Sequence, residues 1–116
     1  MNLKKQIRKE MTIDHLNVAI YEQPEVMADN ASDFVEKNIK EAINKSGFAN
    51  IILATGSSQF LFLEALRNKE IDWKKITVFH LDEYKDISPN HPASFRKYLK
   101  DRILSFVNPK KVYFFY

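Results

Sequence analysis

Three short apolar runs separated by helix-period stretches constrain this chain more than any other feature of its sequence. Asn50–Ala54 is apolar without alternation, the pattern of a strand buried on both faces. Ile76–Leu81 and Val112–Tyr116 are the next two such runs. Ahead of them, Met27, Ala31, Phe34/Val35, Ile39 and Ala42/Ile43 recur at spacings of three and four, with Glu36, Lys37, Lys40 and Glu41 off that face. The pattern predicts an amphipathic helix of about five turns that starts at Pro24 and ends at Ser46-Gly47, the glycine supplying a left-handed cap. A second helix is predicted over Gln59–Asn68, with Phe60, Leu63, Ala65 and Leu66 apolar. A third runs over about Ser94–Phe106, with Phe95, Leu99, Ile103 and Phe106 on one stripe, and Asn108-Pro109 breaks it. Asp72 is placed to cap a short turn through Trp73-Lys74-Lys75. Asn17–Tyr21 reads as a further strand before the first helix. The order strand, helix, strand, helix, strand, helix, strand implies parallel pairing and right-handed crossovers. The expected fold is a doubly wound, Rossmann-like α/β domain, with a mainly parallel sheet and helices on both faces.

Composition narrows the class further. With 116 residues, 45% hydrophobic and 28% charged, the chain fits one ordered domain. Its longest apolar run, Val112–Tyr116, is far short of the ~20 residues of a membrane helix. Cysteine is absent, which removes disulfides and thiolate metal sites and makes a reducing cytoplasm the expected location. The three histidines do not sit at metal-binding spacing, so no metal is expected. Lys4, Lys5, Arg8 and Lys9 against Glu10 concentrate the net charge of +3 in a basic arm, taken as residues 1–14. Residues 15–116 are expected to be the amino-terminal part of a single α/β domain. The arm reads first as a solvated terminus; Leu3, Ile7 and Met11 would also permit a short amphipathic helix. A balanced body gives no footprint for nucleic acid. The chain stops on its most apolar run with no helix after it. This points to a chain cut in mid-domain, the alternative being a central strand covered by the three helices.

In an open parallel sheet, ligands bind beyond the carboxyl ends of the strands. Two polar loops leave strands there. Ala54-Thr55-Gly56-Ser57-Ser58 combines a glycine, three hydroxyls and a helix start, the requirements of a phosphate cradle. It lacks the lysine of a P-loop and the glycines of the dinucleotide fingerprint. The competing reading is that Ser57 or Ser58 merely caps the helix. The second loop begins Phe79-His80-Leu81-Asp82-Glu83-Tyr84. Of two adjacent carboxylates, one can face the crevice while the other is braced or solvated. A carboxylate beside a bound phosphosugar could move a proton next to a carbonyl; ordinary loop acidity is the plainer reading. His80 reads as a packed, hydrogen-bonded residue, and His91-Pro92 as a turn into the third helix.

Leu53–Ser58, Ile71–Tyr84 (with Phe79-His80-Leu81-Asp82-Glu83-Tyr84) and His91-Pro92-Ala93-Ser94-Phe95 together resemble the glucosamine-6-phosphate deaminase/isomerase family. The match runs in register from about Val18 to Phe106. Related 6-phosphogluconolactonases usually show D-E-R where this chain has Asp82-Glu83-Tyr84, so the resemblance favours the deaminase branch. It implies a sugar-phosphate ligand held by Thr55, Gly56, Ser57 and Ser58. It implies Asp82 as the base that moves a proton between C2 and C1 of the opened sugar, with Glu83 in a supporting role. Ammonia is then released and fructose 6-phosphate left, with no metal or organic cofactor. No membrane or nucleic-acid partner is implied, and a homo-oligomer of the full-length protein is compatible with it.

Two departures from the family pattern bear on function. The family loop usually continues T-P where this chain has Ser58-Gln59. The later D-G-H segment with its downstream glutamate, tied to ring opening, and a later phosphate-binding lysine have no counterpart here. The expectation is therefore an amino-terminal portion of such an enzyme, inactive alone. The alternatives are a non-catalytic phosphosugar-binding module and a 6-phosphogluconolactonase-like hydrolase.

Overall fold

The computed structural model describes residues 7–115, and it opens on a hairpin. Strands β1 (Ile7–Ile13) and β2 (Leu16–Tyr21) pair antiparallel, with Ile13 opposite Leu16 across the two-residue turn Asp14-His15. Asp14 takes φ 53°, the left-handed conformation that a tight hairpin turn uses. This corrects two expectations. Asn17–Tyr21 lies in this separate sheet rather than in the parallel one, and residues 7–13 are strand, not helix. The physical reason is that Met11 and Ile13 also alternate with Glu10 and Thr12, a period of two that pairing with β2 satisfies. Leu3, Lys4 and Lys5 of the basic arm lie outside the described residues.

Helix α1 (Pro24–Ser46) carries Pro24 in its first turn and ends where Gly47, at φ 82°, returns its N–H to Ile43 O at 2.7 Å. It packs on α2 (Phe60–Arg67). Lys69, just past α2, bridges Asp29 and Asp33 of α1 at 2.8 and 2.7 Å. Burial by itself would lower the Lys69 pKa, but these carboxylates raise it. Val35, Ile39, Ala42 and Ile43 of the expected stripe face the core, but the buried side of the first turns of α1 is rotated from it. Val26, Ala28, Ser32 and Ile39 are buried, whereas Met27, Ala31 and Phe34 are exposed. Periodicity names a shared face without saying which neighbour it meets, and the approach of α2 decides that for the first turns.

Strands β3 (Ala49–Leu53), β4 (Ile76–His80) and β5 (Lys111–Tyr113) form a parallel sheet in that order. The last strand is shorter than the apolar run that announced it, and Tyr116 lies outside the described residues. A single turn, Trp73–Lys75, leads into β4; the Asp72 side chain does not cap it. Helix α3 (Phe95–Leu99) continues through a π-helical turn (Lys100–Leu104) into α4 (Ser105–Val107), where one unbroken helix was expected. Asn108, in the left-handed region at φ 49°, closes it.

Alternate strand residues point to opposite faces. One face supplies Ala49, Leu53, Ile76 and Val78 to a core completed by Ile39, Leu63, Leu66, Leu99, Ile103 and Leu104. Each fully buried aliphatic side chain there stabilises the fold by ~1.5–3 kcal/mol. The other face presents Ile52, Phe79 and Tyr113, with Ile52 66% exposed. Helices therefore flank the parallel sheet on one side, and the expected cover of the second side is not present among the described residues. Among the described residues, no helix is long and apolar enough to cross a membrane.

Candidate functional site

Leu53 pairs with His80, so β3 and β4 end together and release their loops at one edge of the sheet. After β3, Gly56 sits at φ 109°, ψ 162°, a region that essentially only glycine occupies. A single 3₁₀ turn, Ser57–Gln59, then enters α2. Neither serine caps a helix through its side chain, so the capping reading of Ser57 and Ser58 does not hold. Both are exposed, and Thr55 is half-buried. Within this turn the Gln59 N–H is returned to Gly56 O at 3.0 Å and the Phe60 N–H to Ser57 O.

After β4 the two carboxylates part company. Asp82 is exposed. The Glu83 side chain is only 3% exposed and accepts hydrogen bonds from the N–H groups of Tyr84, Phe95 and Arg96 and from Ser94 Oγ, each at 3.0 Å. Arg96 Nε adds a fifth at 3.3 Å, while its Nη2 donates to Ile87 O at 2.7 Å. Burial alone would raise the Glu83 pKa, but the three backbone donors and the Ser94 hydroxyl hold it down to about 2. Ser94 also receives the Lys97 N–H as the N-cap of α3. A charged, fully engaged carboxylate thus ties the loop to the first turn of α3.

His80 stands behind this cluster. Its Nδ1 accepts the Phe115 N–H at 3.2 Å, which puts the ring proton on Nε2, buried 3.9 Å from Glu83 Oε2. Burial keeps its pKa below that of a free imidazole, outweighing the Glu83 carboxylate. His91 and Pro92 form the turn before α3, with Ser94 N–H on His91 O at 2.9 Å. Among the described residues, no group of three His, Asp or Glu side chains is placed to hold a metal ion.

The two loops converge on α3, but they do not share one enclosed cavity. A cavity of about 730 Å³ reaches Ser57 and Ser58 from the α1 side, between Tyr21, Met27, Phe34 and Leu61; Asp82 does not line it. Two residues that the sequence did not single out matter here. Arg96 braces Glu83, and Tyr98 donates its hydroxyl to Gly56 O at 2.6 Å. Ser94 belonged to a recognised motif; nothing in the sequence linked Tyr98 to a glycine 42 positions away.

A parallel α/β sheet with hydroxyl-rich and acidic loops at its carboxyl edge defines the class, and comparison with known proteins supplies the family. Residues 22–116 match the family of glucosamine-6-phosphate isomerases/6-phosphogluconolactonase, and the chain belongs to it. It is 33% identical over 100 residues to a glucosamine-6-phosphate deaminase of Thermoanaerobacter sp. (strain X514), covering 83% of this chain and 38% of that one. It is 31% identical over 88 residues to a 6-phosphogluconolactonase of Rhizobium meliloti (strain 1021), covering 76% and 38%. The fold matches the crystal structure of a 6-phosphogluconolactonase from Shewanella baltica OS155 with a TM-score of 0.76 at 19% identity, over 81% of this chain and 40% of that one. The chain thus spans about two fifths of the length of these relatives. The β1–β2 hairpin, which ends at Tyr21, lies before the residues that match the family.

Proposed function

We propose that the loops after β3 and β4 form the sugar-phosphate-binding and proton-transfer part of a glucosamine-6-phosphate deaminase-like enzyme. The observation that supports this most is the division of labour at Asp82-Glu83. Glu83 is consumed by five hydrogen bonds, which leaves Asp82 as the exposed carboxylate of a loop that leaves the same sheet edge as Thr55–Ser58. In this reading Gly56 lets the backbone approach the phosphate, and Thr55, Ser57 and Ser58 donate hydroxyls to it. Asp82 removes the C2 proton of the opened aminosugar as the C1 carbonyl oxygen takes up a proton and a C1–C2 double bond forms. Asp82 then returns its proton to C1. Water adds to the resulting C2 iminium, ammonia leaves, and fructose 6-phosphate remains. Glu83 braces the loop and transfers no proton. D-G-H does not occur in these 116 residues, so ring opening needs groups other than these.

The lactonase reading keeps the cradle and lets Asp82 activate water instead; the relatives include lactonases at similar identity. Tyr84 in the arginine position speaks for the deaminase. Calorimetric titration of the chain with glucosamine 6-phosphate and with 6-phosphogluconate distinguishes them. The expected result is tighter binding of the aminosugar and no ammonia release by this chain alone. Ser57→Ala should weaken binding by about ten- to a hundredfold, one hydroxyl on a charged group being worth ~1.5–3 kcal/mol. Asp82→Asn should keep affinity within about threefold, because the base acts in the transition state. No binding of either sugar sinks the reading; a preference for 6-phosphogluconate moves it to lactone hydrolysis.

A further inference from the structure

We propose that Tyr98 is a positioning residue for the Thr55–Ser58 cradle, setting it in register with the Asp82 loop. The inference rests on the cradle reading above and adds a residue to it. Tyr98 lies four residues beyond Ser94, with its N–H on Ser94 O at 3.0 Å. One turn of α3 therefore carries both anchors: Ser94, Phe95 and Arg96 grip Glu83, and Tyr98 grips Gly56. The Gly56 carbonyl takes two donors, Tyr98 Oη at 2.6 Å and Gln59 N–H at 3.0 Å. In a planar trans peptide the carbonyl and the next N–H point in opposite directions. Holding Gly56 O against the protein therefore turns the Ser57 N–H outward, toward the position a phosphate would occupy.

Glycine at φ 109° cannot fix this orientation unaided, because glycine has many other conformations open to it. The hydroxyl does so, and the ring behind it is itself fixed: Tyr98 stacks on Phe60 with centroids 5.7 Å apart and 25° between planes. Burial raises the Tyr98 pKa against the opposing charge of Arg102, which keeps the hydroxyl a donor. Phe60 begins α2 and Ser57–Gln59 leads into it, so the stack ties the helix that follows the cradle to the helix that holds the base loop.

Tyr98→Phe removes the hydroxyl and keeps the stack, and the 116-residue chain is the material for the test. In ¹H–¹⁵N spectra without ligand, the Gly56–Gln59 amides should shift and exchange faster, while Phe95 and Arg96 stay in place. Titrated with glucosamine 6-phosphate, the variant should bind about three- to tenfold more weakly than the parent, the range for one neutral hydrogen bond. A residue that only stabilised the fold would lower the unfolding midpoint and leave both readouts alone; that result overturns the proposal. If the parent does not bind the sugar, the cradle reading fails. The ligand-free spectra still decide Tyr98, with unchanged Gly56–Gln59 amides counting against it.

Discussion

The loop after β4 and the loop after β3 leave the same sheet edge and are held by opposite means. The first is fixed by a buried charge: one carboxylate collects five donors from the turn that begins α3. The second is shaped by a glycine in a conformation closed to other residues and tethered by one tyrosine hydroxyl. The stabilising contacts are concentrated in the β4 loop, on Glu83. The β3 loop carries fewer stabilising contacts and leaves Ser57 and Ser58 exposed. A ligand-binding loop that satisfied all its own donors would have none to offer.

Three experiments can break or sharpen this contrast. The largest effect is expected from Glu83→Ala, which takes the carboxylate from a buried pair and costs ~3–5 kcal/mol in urea unfolding. A cost below that of any β3-loop substitution would reverse the comparison. Next comes acid. The folded Glu83 binds its proton more weakly than the unfolded one, with a pKa of about 2 against 4.5. Its contribution, on the order of 3 kcal/mol, is complete above about pH 4.5 and is lost as the pH falls through about 2. His80 and Arg96 face the same carboxylate, so the Glu83→Gln variant is the control. Parent and variant stability curves should converge on acidification, and parallel curves would remove Glu83 from the account. The smallest effect on stability belongs to Gly56→Ala, ~1–3 kcal/mol, with binding of glucosamine 6-phosphate lost. A new Cβ would meet only Ser58 Oγ at 4.0 Å, so the cost comes from the backbone and not from crowding. An alanine variant with parental stability and affinity would show that the loop does not need its glycine conformation.

Local chemistry was legible where one or two residues decide the outcome. Pro24 and Gly47 marked both ends of α1, and the short apolar runs marked β3 and β4. Both loops were placed at the correct edge because parallel strands joined by helices leave no alternative. What stayed hidden depends on elements meeting in space. Met27 and Phe34 share a helical period with Ile39, yet only Ile39 turns to the core. The hairpin turn at Asp14 needed a left-handed aspartate with no glycine to advertise it. Glu83 and Asp82 look equivalent in sequence, and only the arrival of Ser94, Phe95 and Arg96 separates them.

The open face of the sheet has a consequence for how unfolding of this chain can be followed. Dyes that brighten on apolar surface are used to signal loss of tertiary packing. Here the native fold already offers such a dye Ile52, Phe79 and Tyr113 side by side, with Phe79 and Tyr113 stacked at 5.2 Å. Dye fluorescence from the folded chain is therefore a property of its surface, and a bright signal does not indicate a molten state. The indole of Trp73, 7% exposed and inside the core cluster, reports packing without that ambiguity.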